Sequence, residues 1–137
     1  MRTYFDSSSF AKRLVEEAGS EQVEHLCMES SELALGVVCI PEVISALNRR
    51  RREKYLSATD YSRAKQQLAL DVRDAFIVNL TESVISSSVA ILESNTIRAL
   101  DALHVACALE WKADLFVSSD RRQLTAADGV GLRTRFV

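Results

Sequence analysis

The chain has 137 residues, and its 17 Lys and Arg against 19 Asp and Glu leave a net charge of −2. That balance excludes a uniformly basic nucleic-acid binder, although a local basic patch remains compatible with it. Hydrophobic residues at 47% and charged residues at 26% describe an ordinary globular protein of one domain, residues 1–137.

Three cysteines, Cys27, Cys39 and Cys107, form no CxxC pair, as expected for reduced thiols in the cytoplasm. The longest apolar run, Leu33 to Ile40, is too short to span a bilayer. The opening MRTYFDSS has no apolar signal core. These features predict a soluble cytoplasmic protein with no membrane partner.

Thr3-Tyr4-Phe5 is a β-prone run ending at Asp6, and Ser7, Ser8 and Ser9 offer caps for a helix carrying Phe10, Leu14 and Val15. Gly19 stops that helix, and Ser20 starts another through about Glu29. Leu33 to Ile40, rich in β-branched residues, predicts a strand buried on both faces. Pro41, the only proline, would then open a helix at its first position and run it to Arg49-Arg50-Arg51-Arg52.

A long helix is expected from about Ala58 to Asp74, with Tyr61, Ala64, Leu68 and Val72 on one side. Its apolar residues look too many for a short domain to cover, which predicts an interface there. Ala75 to Leu80 predicts a strand, and Thr81 to about Glu93 a helix. From Arg98 to Leu124 the pattern is helix, turn, short buried strand, helix, with Leu100, Leu103, Cys107 and Trp111 at helical spacing beside an alanine face. A helix from about Arg121 to Ala127 and an edge strand from Leu132 to Phe136 complete the chain. Alternating helices and buried strands imply parallel pairing, and hence a three-layer α/β/α sandwich around about five strands.

Four carboxylates stand out in this frame. Asp6, Glu42 and Asp120 each follow a predicted strand, and Asp101 lies in the first turn of a helix. Ligands of open α/β sheets bind beyond the carboxyl ends of the strands, so the four are expected to converge. Asp6 or Asp120 alone would read as a helix cap. Together, the carboxylates would repel one another unless a cation joined them, and an all-oxygen donor set suits Mg²⁺ or Mn²⁺. Ser7 and Ser118 could support them, whereas His104 reads as a packed, hydrogen-bonded side chain.

At these residues the chain resembles the PIN-domain ribonucleases that serve as toxins in VapBC-type toxin–antitoxin pairs. The matching pieces are Tyr4-Phe5-Asp6-Ser7-Ser8, Pro41-Glu42 with Ala46 and Arg49, Arg98-x-x-Asp101-Ala102 with Ala106 and Ala108, and Ser118-x-Asp120. The resemblance implies a parallel sheet of order 3-2-1-4-5, an acidic Mg²⁺/Mn²⁺ site and RNA cleavage. It also implies homodimerisation and silencing by a small antitoxin. One departure is Gln123, where many relatives carry Asp or Asn, and glutamine is a poorer ligand for a second metal.

Arg49 and Arg50, within the arginine run, and Arg121 and Arg122, beside Asp120, are candidates to meet RNA phosphates or an acidic partner. The expected function is a metal-dependent endoribonuclease using Asp6, Glu42, Asp101 and Asp120. The alternative is a catalytically weak or silent PIN-like module acting through a protein partner. A signalling receiver domain is disfavoured, because the third predicted strand ends Val78-Asn79-Leu80 with no phosphorylatable Asp.

Overall fold

The computed structural model describes residues 1–137. Strand β1 (Arg2–Phe5) leads into α1 (Ser7–Leu14) and α2 (Ser20–Glu29). Then come β2 (Glu32–Gly36), α3 (Cys39–Arg52), α4 (Ala58–Asp74), β3 (Phe76–Val78) and α5 (Glu82–Ser94). The chain closes with α6 (Ala99–Glu110), β4 (Leu115–Ser118), α7 (Arg121–Gly129) and β5 (Thr134–Phe136). All strand pairs are parallel, in the order β3-β2-β1-β4-β5. This is the expected sandwich, with its expected strand order.

Alternation along the strands divides the core. Tyr4, Ala34, Val78 and Phe116 point to one face, where Ile91 of α5, Val105 of α6 and Leu124 of α7 cover them. Phe5, Leu35, Leu115 and Val117 point to the other, against Phe10 of α1, Val43 of α3 and Leu68 of α4. The central strands β1, β2 and β4 are therefore covered on both sides and mostly apolar, whereas the edge strands β3 and β5 are partly exposed.

Two expectations about elements are corrected. The run from Leu33 to Ile40 is not one strand: β2 stops at Gly36, Val37 donates a last bond to the Val78 carbonyl (2.9 Å), and α3 begins at Cys39. Cys39, Val43 and Leu47, spaced by four, form its buried stripe. Pro41 thus lies third in the helix rather than first. It costs no hydrogen bond there, because the first-turn N–H groups have no intrahelical partner. In α6, the buried positions are Ala102, His104, Val105, Ala106, Cys107 and Ala108, while Leu100 is 44% exposed. The helix is wedged between sheet, α5 and α7, so its small residues, not its leucines, face the crowded side.

The surplus apolar side of α4 is also absent. Ala64 and Leu68 are buried, and Tyr61 and Val72 pack against the core. The exposed stripe lies instead on α5, where Ile85, Val89 and Leu92 are 44%, 49% and 36% exposed.

Helices α3 and α6 end alike. After α6, Lys112 donates to Leu109 O (3.1 Å) and Ala113 to Ala108 O (3.0 Å), with Lys112 at φ 59°. After α3, Lys54 (φ 62°) and Tyr55 make the same pair of bonds to Arg51 and Arg50. This terminating motif favours glycine at its left-handed position, and a side chain there costs about 1–2 kcal/mol. Lys112→Gly is accordingly expected to stabilise the protein by about 0.5–1 kcal/mol, net of glycine's greater unfolded-state entropy. A urea midpoint that is unchanged or lower would refute it.

Candidate active site

Asp6 follows β1 directly and caps α1. Its Oδ1 accepts from the Ser9 backbone N–H (2.9 Å), and the Ser9 hydroxyl lies at 2.7 Å. Its Oδ2 lies 2.7 Å from the Ser8 hydroxyl and 2.9 Å from that of Ser118. The side chain is held by four donors and is only 4% exposed.

Asp120 caps α7 through Oδ1, which accepts from the N–H groups of Arg122 (2.9 Å) and Gln123 (3.4 Å). Its own N–H donates to Ser118 Oγ (2.9 Å). Both cap roles are therefore real, and in Asp120 one oxygen remains uncommitted. The carboxylate of Asp101 makes one ion pair, with Arg98 at 4.0 Å.

Asp101 and Asp120 line one cavity of about 210 Å³ together with Arg98 and Arg122. Burial, then the charge of Asp120 and, more weakly, that of Asp6, holds the Asp101 carboxyl above its ordinary pKa, against the opposing pull of Arg98. Asp101 thus feels the charges of both other carboxylates.

Glu42 stands apart from that cavity. It lies in the first turn of α3 and lines an adjoining groove of about 1030 Å³ with Arg49, Arg50, Tyr55 and Arg98. Arg98 forms part of both walls. Glu42 Oε1 accepts from Ser7 Oγ (2.7 Å) and meets His104 Nε2 at 2.6 Å. Burial works to raise the Glu42 carboxyl, but the hydrogen bond and charge of His104, with the Ser7 bond, outweigh it and hold the pKa below the ordinary value.

The remaining candidates separate. Gln123 is fully buried, and both ends of its amide are engaged: Oε1 lies 2.8 Å from Ser118 Oγ, and Nε2 donates to the Asp101 carbonyl (3.1 Å). It braces α7 against α6 and β4 rather than facing the cavity. Arg122 lines the cavity, whereas Arg121 lies over the Phe136 ring at 4.1 Å. Arg50 pairs with Glu17, leaving Arg49 as the unpaired arginine of the groove.

Sequence reasoning missed the link from His104 to Glu42 and the place of Tyr55 in the groove wall. Only the position of His104, three residues after Asp101, hinted that it faces the same end of the sheet.

The profile of the PIN domain matches residues 3–129. The chain belongs to the PIN domain family. Similar solved structures include a toxin–antitoxin complex from Klebsiella pneumoniae (TM-score 0.67, 14% identity, 89% of each chain). VapC20 of Mycobacterium tuberculosis, described as a sarcin–ricin loop cleaving toxin, is similar at TM-score 0.70 and 15% identity over 90% of this chain and 94% of that one. VapBC2 of Rickettsia felis, bound to a promoter DNA fragment, aligns at TM-score 0.70 and 10% identity over 100% and 99%. No curated protein matches the sequence.

Chemically, this PIN domain offers uncommitted oxygens from Asp101 and Asp120, a buried Asp6 behind them, and cationic walls from Arg98 and Arg122. No three His, Cys, Asp or Glu side chains form a closed metal-binding group. What is present is an open set of mutually repelling oxygen donors, and the donor chemistry suits a hard divalent cation.

Proposed function

We propose that this PIN domain is a metal-dependent endoribonuclease, acting as the toxin of a toxin–antitoxin pair. The observation that carries the reading is the half-buried cavity shared by Asp101 and Asp120, with Asp6 adding to their repulsion. Asp6, Asp101 and Asp120, with Glu42 at the neighbouring wall, would hold Mg²⁺ or Mn²⁺. A bound ion supplies an ionised water and neutralises the leaving oxygen. The protein's own part is to hold the acids: Ser8, Ser9 and Ser118 fix Asp6, and the start of α7 fixes Asp120. Arg98 and Arg122, which line the cavity, and Arg49 along the groove would bind phosphates of the RNA.

The toxin reading draws on the similar structures, which include toxin–antitoxin complexes. It includes a small antitoxin partner, a cytoplasmic location alongside the RNA substrate, and a homodimer. The exposed α5 stripe is the apolar face on offer for the dimer. No helix is long and apolar enough to cross a membrane.

The deciding experiment incubates the purified protein with loop-containing RNA, with Mn²⁺ and after chelation. Cleavage should appear with Mn²⁺, vanish with EDTA and return when Mn²⁺ is restored. Cleavage indifferent to chelation overturns the metal dependence, and no cleavage of any RNA in Mn²⁺ favours a silent binding module. Co-expression with the adjacent small reading frame should rescue growth and yield a stable complex. A chain harmless alone and indifferent to that neighbour would remove the toxin reading.

A further inference from the structure

A buried line of polar groups runs from the sheet to Glu42 and is not part of the metal-site reading. Tyr4 in the middle of the central strand β1 is fully buried, and its hydroxyl lies 2.8 Å from His104 Nδ1. His104 on α6 is 1% exposed, and its Nε2 lies 2.6 Å from Glu42 Oε1. A carboxylate can only accept, so Nε2–H donates to Glu42 in either protonation state of the ring, while Nδ1 and the Tyr4 hydroxyl share the other bond. Ser7 Oγ, 3.1 Å from Nε2, donates to the same Oε1 at 2.7 Å.

The fold makes room for this line. A Cβ on Gly36, at the end of the neighbouring strand β2, would fall 2.5 Å from the Tyr4 hydroxyl and 3.5 Å from His104 Nδ1. A tyrosine hydroxyl and an imidazole in an apolar core each carry a desolvation cost, and a phenylalanine–leucine pair would fill similar space without it. What the polar pair achieves is local. It fixes Glu42, which no lysine or arginine reaches within ion-pair distance and whose one such partner is His104 itself, at 2.6 Å. Both donors fall on Oε1, so Oε2 receives no protein hydrogen bond and is left for the groove.

We propose that His104, buttressed by Tyr4, is the positioning residue of Glu42: it locks Oε1 so that Oε2 is presented to the site. This rests on the nuclease reading for its purpose, but the geometry can be tested without it. His104 makes its carboxylate hydrogen bond to Glu42 and none to Asp101 or Asp120. Groups that orient a metal-site carboxylate in this way typically matter about 10–100-fold in activity or affinity.

The test uses the full chain and the variants His104→Ala, His104→Gln, Tyr4→Phe and Glu42→Gln. In Mn²⁺, His104→Ala should lower kcat for RNA about 10–100-fold with KM changed less than about twofold. Combined with Glu42→Gln, it should cause no further loss of kcat. His104→Gln, whose amide can still donate to Oε1, should recover part of the activity. Crystals of His104→Ala should show the Glu42 carboxylate displaced or in several rotamers.

If His104→Ala fails to fold, Tyr4→Phe carries the same measurements, with a smaller fall in kcat that again disappears in the Glu42→Gln background. An unmoved Glu42 in the crystals, or equal losses with and without the Glu42 carboxylate, overturns the proposal. If the wild type cuts no RNA, the nuclease reading fails, while the position of Glu42 in the variant crystals still decides the role of His104.

Discussion

Asp101→Asn is expected to reduce Mn²⁺-supported RNA cleavage by at least about 100-fold, since changes one shell further from a metal already cost about 10–100-fold. The same substitution is expected to raise the melting temperature of the metal-free protein. The two effects share a cause. Asp101 is partly buried beside Asp120 and Asp6, and burial first, then repulsion, disfavours its charged form in the folded state. Its place in the first turn of α6 favours that charge, and Arg98 attracts it from 4.0 Å, but the net shift is upward.

The sign follows from linkage. A carboxyl with a raised folded pKa favours the folded state when protonated. That stability is present below the unfolded pKa and lost as pH rises through the folded value. Aspartate and asparagine proteins should therefore have nearly equal stability below about pH 4 and diverge toward neutrality. Melting curves from acid to neutral pH, in EDTA, measure this. A clear fall in stability at pH 7, with cleavage retained, would make Asp101 a structural cap.

Much of the fold could be read from alternation. Tyr4-Phe5 and Phe116-Val117 send neighbouring side chains to opposite sides of the sheet, and runs apolar at every position announced strands covered twice. The strand order, by contrast, came from resemblance, because local pattern does not say which strands become neighbours. The stretch from Leu33 to Ile40 misled for a physical reason. A short apolar run looks the same as a buried strand or as the start of a buried helix. The spacing of Cys39, Val43 and Leu47 was the available signal.

At the site, composition and strand ends indicated the acids but not their partition. Asp101 and Asp120 share a cavity, while Glu42 opens on the groove beside it. The pairing of His104 with Glu42 and Tyr4 joins residues 62 and 100 positions apart, and no local periodicity records such a contact. Gln123 shows the converse. Read as a weak ligand, it is fully buried and spends its amide on Ser118 and the Asp101 carbonyl.

The other large effect is expected at Asp6, and it has the opposite sign for stability. Asp6→Ala removes the cap of α1 and leaves the buried Ser9 N–H without its acceptor, while the Ser9 and Ser118 hydroxyls keep the Val117 carbonyl (2.9 Å) and Gln123 Oε1 (2.8 Å). The lost cap and the unpaired Ser9 N–H are one and the same loss, of about 1–3 kcal/mol. The variant should lose about 1–3 kcal/mol and melt about 2–12 °C lower, with cleavage abolished. Asp6→Asn separates the two roles. Its carbonyl oxygen can still accept from Ser9, and the serine hydroxyls can turn to accept from its amide, so it should lose no more than about 1 kcal/mol. Cleavage should nevertheless fall as far as in the alanine variant, because the negative charge is gone. Denaturant melts and Mn²⁺-dependent cleavage of the pair decide the matter. An alanine variant as stable as the wild type would refute the capping role, and an active asparagine variant would show that the charge of Asp6 is not what the chemistry requires.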